Sequence, residues 1–397
     1  MSTYKNISFF RGLNSLRFFA AFLVVIHHSE TIRQKNGFKN FEWLGFFRNG
    51  NNAVTFFFVL SGFLITYLLL KENYKKGTIS VKNFYLKRIL RIWPLYFLLV
   101  IIGTLILPEF FKIVNIPYEM PYSFSQVWPY FTFFLPGLVT FFFGHHLLEP
   151  LWSIGVEEIF YLVWAPLFKI FKNRNILLIL TSIISLKIIL MISTYFVKNE
   201  LFDYIVNTFS FEAMAIGGLG AYFIFNRKKL LSNSLLYKKP LQVLIYIFLA
   251  IYLIFDENIN NTAWNLIFKS PVVSKLLIDC LFLYLIIGVS LVEGSIIKLR
   301  SKLFSYLGEI SYGIYMYHML IIFAVILFLK KYLLNLNPIL SAVIFYVIVT
   351  LLVILVSAIS KVAFENYFLK LKVRIDPKTG ERDQLVENSI KLPPKNL

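Results

Sequence analysis

The sequence predicts an all-α polytopic membrane protein of about ten transmembrane helices with one additional re-entrant or interfacial segment. Three observations carry that expectation. Of the 397 residues, 58% are hydrophobic, 18% aromatic and only 15% charged, and the mean hydropathy is +0.70. That is more apolar surface than the interior of a soluble globule can hold. Apolar runs long enough to cross a bilayer recur along the chain. Lastly, Lys and Arg number 40 against 21 Asp and Glu, a net charge of +19, and they cluster in the short loops between those runs. Such clustering marks cytoplasmic loops rather than a nucleic-acid surface, so a lipid bilayer is the expected partner and nucleic acid is not.

Taken in order, the spans are expected at about 13–29, 53–71, 92–108, 151–171, 175–197, 205–225, 240–255, 273–291, 305–329 and 338–360. The first run has no small-residue cleavage site and is followed by many others, so it reads as a transmembrane helix and not as a removed signal peptide. An eleventh apolar stretch, 125–143, is expected to be re-entrant or interfacial. A full crossing there would put Lys169, Lys172 and Arg174 outside, and Pro129, Pro136 and Gly137 weaken a continuous helix. With ten spans, the basic loops 71–91, 169–174, 227–239 and 298–302 and the segment after Lys361 all face the cytoplasm, as do both termini. Lys330 and Lys331 run against this scheme. Residues 1–370 are expected to form one transmembrane domain, and 371–397, polar and proline-containing, a disordered cytoplasmic tail. The single cysteine, Cys280, excludes an internal disulfide and a thiolate metal site, and no metal is expected.

Five segments carry chemistry. Leu13–Ser29, LNSLRFFAAFLVVIHHS, places Arg17 and His28 eleven residues apart, roughly three helical turns and 16 Å along one face. Ionisable groups at such depth face a protein interior or a wet cavity, unless Arg17 snorkels to the interface. Val54–Thr66, VTFFFVLSGFLIT, offers Ser61 and Gly62 as small residues for close helix packing; Ser61 lacks the surrounding elbow pattern of a nucleophile. Phe84–Tyr96, FYLKRILRIWPLY, sets Arg88 and Arg91 three apart on one helix face, either to fork phosphates or as a topological anchor. Leu151–Pro166, LWSIGVEEIFYLVWAP, buries the adjacent carboxylates Glu157 and Glu158, either to orient a histidine base or to pair charges between helices. Phe304–Met319, FSYLGEISYGIYMYHM, reads as a close-packed helix lining a polar cavity, with His318 either in that cavity or a satisfied core histidine.

In this order, the R-x10-H spacing, FF-x-LSGF, R-x-x-R before W-P-x-Y, LWS-x-x-VEE-x-FY and LGEISYGIYMYH resemble the acyltransferase-3 family of bacterial integral-membrane acyltransferases. The likeness runs from about residue 12 to 366. LWSIGVEEIFYLVW together with R-x10-H is its most specific part. Asn14 and Ser15 stand where the family commonly has Asp and Gly, and Phe18 where a small residue is usual.

The resemblance implies an O-acyltransferase that moves an acyl group, usually acetyl from acetyl-CoA, to a hydroxyl of a cell-surface glycan or lipid-linked sugar in the bacterial cytoplasmic (inner) membrane. It implies His28 as the catalytic histidine with Arg17 as its partner in the motif, Arg88 and Arg91 as the R-x-x-R pair, and Glu157, Glu158 and Tyr161 as the acidic motif. On this reading Arg88 and Arg91 draw the CoA phosphates to the cytoplasmic mouth, and His28 is the general base. Glu157 and Glu158 orient it from the outer half, and Arg17 stabilises the oxyanion or the thiolate. A covalent acyl-histidine relay is the mechanistic alternative. A transporter or flippase is the rival function; it would more often show repeats or broken helices in matching positions of two halves, which the sequence does not display.

Overall fold

The computed structural model describes residues 12–116, 118–171, 175–226, 235–255, 270–292 and 294–375, together with Lys5, Ile7, Phe10, Trp264, Asn265 and Phe268. All regular structure among the described residues is helical. The helices are α1 (Leu13–Lys35), α2 (Gly50–Lys76), α3 (Val81–Ile101), α4 (Leu107–Ile113), α5 (Phe124–Thr132), α6 (Pro136–Phe143), α7 (Trp152–Ile170) and α8 (Ile176–Ser193). They continue as α9 (Glu200–Thr208), α10 (Phe211–Asn226), α11 (Lys239–Phe255), α12 (Pro271–Leu291), α13 (Lys302–Glu309), α14 (Ser311–Leu334), α15 (Pro338–Ser360) and α16 (Asn366–Ile375).

Eight helical stretches among the described residues are long and apolar enough to cross a membrane: 50–76, 81–113, 149–170, 176–193, 200–226, 271–291, 311–334 and 338–371. The other two expected spans are present as helices. The first, α1, carries Arg17, Glu30 and Arg33 and falls outside that set, while α11 is apolar but has 17 residues. The stretch 125–143 is broken into α5 and α6, nine and eight residues long, with Phe134 at φ 58 between them. At about 1.5 Å per residue neither piece spans a bilayer. Of the segment 371–397, residues 371–375 close α16, and the rest lies outside the described residues.

Local chemistry sets the helix ends. In α2, Lys75 and Lys76 occupy the last turn and Gly77, at φ 71, donates its N–H to the Asn73 carbonyl, a left-handed stop. Ser80 then caps α3 by accepting from the Asn83 N–H. A π-helical turn, Ile102–Ile106, joins α3 to α4, and a second, Lys361–Glu365, joins α15 to α16. The crossing broken between α9 and α10 exposes carbonyls that lipid cannot satisfy. The Lys187 ammonium serves them, donating to Val206 O and, at 2.7 Å, to Phe209 O, and lying 3.5 Å from Glu212.

α2 is the centre of the bundle. Over its apolar window 72% is buried inside the protein, against 22% for α8, which therefore faces lipid. Its neighbours are α1, α7, α10 and α12. Contact with α10 is backbone to backbone: a Cβ on Gly62 would lie 1.9 Å from Met214 O, and one on Gly217 would lie 2.0 Å from Val59 O. Small residues let the two helices touch without a side chain between them. At the other edge α1 packs on α13, α14 and α15, with Phe18, Ala21 and Val25 joining Ile314, Ile322, Phe345 and Val349 in a second core. α1 is thereby held between α2 and α14, which positions both its charged residues.

Candidate active site

The site has two ends, both built on α1. At the first, Arg17 meets Arg88 and Arg91 from α3 and Glu157 and Tyr161 from α7; all five interact electrostatically. The Arg88 guanidinium carbon stands 5.5 Å from the centre of the Tyr161 ring and 5.8 Å from that of Phe84, a cation–π arrangement that holds it without a carboxylate. Arg17 and Arg88 are half-buried and Arg91 is exposed, so this end is open to a ligand. Glu157 is fully used: Ser61 Oγ donates to Oε1 at 2.7 Å and Tyr161 O–H to Oε2 at 2.7 Å. Ser61 is therefore a bonded hydroxyl beside the Gly62 contact, in keeping with a packing role. Glu158 accepts from the Trp93 indole at 2.9 Å through Oε2, while its buried Oε1 has no hydrogen-bond partner among the described residues.

At the second end lies His28. Its Nδ1 is 3.1 Å from Val24 O and 3.1 Å from Nε2 of His318, which reaches over from α14 and is wholly buried. His318 Nδ1 in turn contacts Tyr315 O. The Tyr315 hydroxyl is 2.9 Å from Pro150 O and 2.7 Å from Ser153 Oγ, one turn before Glu157 on α7. His27 turns the other way: its Nδ1 bonds Phe47 O at 3.1 Å and its ring fills the place a Gly50 side chain would take. The spacing argument for His28 over His27 thus has a geometric counterpart.

One expectation needs correcting. Glu157 and Glu158 do not hold His28; they belong to the arginine end, and His28 is held by Val24 O and His318. Adjacent residues on a helix diverge by about 100°, so the two carboxylates cannot act as one unit. The register of α7 brings Ser153, not Glu157, to the level of Tyr315 and His318. Arg17 Nη1 donates to Asn14 Oδ1 at 3.1 Å, back toward the helix start. The guanidinium points away from a histidine that is already roughly 16 Å along the axis. Asn14, where the family commonly has Asp, keeps an acceptor for Arg17 without adding a charge.

Lys361 and Glu365 escaped the sequence reading. They pair at 3.7 Å in the second π-helical turn, and Lys361 and Glu365 both interact electrostatically with Arg91. Only the position of Lys361 at the end of a span could have signalled this, and that position looked like an ordinary cytoplasmic anchor. His318 had a better signal, since Ser311, Tyr315 and His318 recur at helical spacing and are all buried.

Comparison with known proteins identifies the family. Residues 10–359 match the acyltransferase domain of the acyltransferase-3 family. A Staphylococcus aureus (strain COL) protein, provisionally named an O-acetyltransferase, is 28% identical over 349 residues, covering 83% of this chain and 52% of its own length. The peptidoglycan O-acetyltransferase OatA of Listeria monocytogenes is 30% identical over 178 residues, 42% of this chain and 26% of the relative. The O-acetyltransferase OatA of S. aureus (strain NCTC 8325) is 31% identical over 202 residues, 48% of this chain and 30% of the relative. The chain spans about half the length of the first of these curated relatives. No solved structure matches it at a significant level. With the motif residues gathered at the two ends of α1 and the family's domain matched across nearly the whole bundle, the chain belongs to the acyltransferase-3 family.

Proposed function

We propose that this protein is a membrane-embedded O-acetyltransferase that moves acetyl from acetyl-CoA to a hydroxyl of a cell-surface glycan or lipid-linked sugar. The observation that carries this reading is that one helix, α1, joins a cationic cluster open to ligand at Arg17 to a buried-side histidine pair three turns further on. Relatives named for O-acetylation, one of them of peptidoglycan, favour the acetyl group and a glycan acceptor. Arg88 and Arg91 hold the anionic part of the donor as guanidinium forks, and Arg17 adds a third positive charge beside them. The acyl end of the donor then reaches along α1 to His28. There Nε2 of His28 takes the proton of the acceptor hydroxyl as its oxygen attacks the thioester carbonyl. The carbon–sulfur bond breaks, and the departing thiolate recovers that proton from the imidazolium. The arginine end faces the cytoplasm, with both termini, and the His28 end lies toward the outer face of the cytoplasmic membrane, as the basic loops direct.

The test is acetyl transfer by the purified protein in detergent, with CoA release and acetylated glycan both measured. His28→Ala abolishes transfer while acetyl-CoA still binds, and His27→Ala keeps most of the activity. An active His28→Ala variant, or an essential His27, refutes the assignment. A protein that leaves acetyl-CoA intact in the presence of cell-wall glycan is not an acetyltransferase.

A further inference from the structure

We infer that His318 is a positioning residue that fixes the tautomer of His28, leaving His28 Nε2 as the basic atom. The inference rests on His28 being the base. Two backbone carbonyls decide the protons. His318 Nδ1 contacts Tyr315 O, and a carbonyl only accepts, so Nδ1 of His318 carries hydrogen and its Nε2 carries a lone pair. His28 Nδ1 faces two acceptors, Val24 O at 3.1 Å and that His318 Nε2 at 3.1 Å. It must carry the hydrogen shared between them. The opposite assignment would point a lone pair at each carbonyl, with no donor in either contact. In the neutral imidazole one nitrogen donates and the other accepts, so Nε2 of His28 is left to take a proton.

His318 thereby does inside the bundle what a buried carboxylate does for the histidine base of a catalytic triad: it accepts from the rear nitrogen and sets the ring's direction. A neutral partner suits the setting. His318 is completely buried, and a carboxylate there would have to be desolvated at a cost of several kcal/mol per ion. The two carboxylates of α7 stand instead at the arginine end, where Glu157 is bonded by Ser61 and Tyr161 and lies among cations. His318 is itself seated through Tyr315, whose hydroxyl is fixed by Pro150 O and Ser153.

The experiment compares His318→Gln, His318→Leu and His28→Ala in the full-length protein. Gln keeps an acceptor facing His28 and is expected to retain most of kcat. Leu removes it and is expected to lower kcat by about 10–100-fold, with KM for acetyl-CoA unchanged because the arginine end is untouched. The tautomer is read directly by NMR of 15N-histidine-labelled protein, a tractable spectrum with five histidines, the His28 signals being assigned by loss in His28→Ala. Protonated Nδ1 and bare Nε2 in the parent support the inference; a protonated Nε2 overturns it, whether or not the Leu variant folds. Parental kcat in His318→Leu with an inactive His28→Ala overturns it while sparing the base assignment. An active His28→Ala overturns the base assignment itself.

Discussion

Replacing Gly62 with Ala tests whether α2 and α10 touch backbone to backbone. The added Cβ would stand 1.9 Å from Met214 O and 2.6 Å from both the carbonyl carbon and the Cα of Met214. A carbon–oxygen contact settles at about 3.3 Å or more, so the helices must part by over an ångström. The obstacle is backbone inside a helix and cannot swing aside. Gly217 meets Val59 O in the reciprocal contact, so α10 cannot slide to relieve the clash. Overpacking of this kind costs about 1–3 kcal/mol and occasionally more, and the absence of any yielding side chain puts Gly62→Ala at the upper end. The control is Gly77→Ala, where nothing lies within 4 Å and φ is +71; there only the left-handed backbone is strained, by about 1–2 kcal/mol. Thermal unfolding in detergent should therefore rank Gly62→Ala well below Gly77→Ala. Activity should fall with it, because Ser61, the neighbouring residue, donates to Glu157 at 2.7 Å and moves with α2. If Gly62→Ala unfolds no earlier than Gly77→Ala, the backbone contact argued for this pair of helices is wrong.

Further substitutions probe the surroundings of both ends of α1. Arg88→Ala and Arg91→Ala should each weaken acetyl-CoA binding by about 1.5–3 kcal/mol, the worth of a lost charge-assisted contact, with Lys restoring part because it is a point charge without the fork; calorimetry that finds parental affinity in both reduces the pair to a topological anchor. Glu30 and Arg33, both wholly buried and 2.6 Å apart, are ringed by Phe38, Phe41, Phe345 and Tyr346, and Glu30 also accepts from Tyr346 and from the Phe41 N–H at 2.5 Å. Glu30→Gln leaves the guanidinium without its counter-charge and should destabilise the protein by about 3–5 kcal/mol, whereas Glu30→Gln with Arg33→Met should cost less than the single change; equal or greater loss in the double variant would show that the pair is not coupled.

What the sequence disclosed and what it withheld divide along a physical line. Helices within apolar runs and the break between α5 and α6 are local, set by hydropathy, proline and glycine within a few residues. So is the pairing of Arg88 with Arg91 on one face. The meeting of His28 with His318 joins residues 290 apart and depends on how α14 packs against α1, which no local pattern encodes. Glu157 and Glu158 were misread for a related reason. Side by side in the chain they look like one acidic feature, but their directions on α7 send one to Ser61 and Tyr161 and the other to Trp93.

The separation of the two ends also explains how so polar a site survives inside an apolar bundle. At the arginine end three arginines and Lys361 outnumber Glu157, Glu158 and Glu365, so it is short of negative charge until an anion arrives, and it remains partly exposed. The histidine end does the opposite: it is closed by His318 and Tyr315 and holds His28 through neutral groups and carbonyls, while the nearby Glu30 and Arg33 neutralise each other. On the proposed function, a base built that way would hold a proton only transiently, during the acyl transfer. Placing the anion-binding charges roughly 16 Å away along α1 keeps them from suppressing that protonation by repulsion, and a donor long enough to touch both ends is the kind of molecule the arrangement selects.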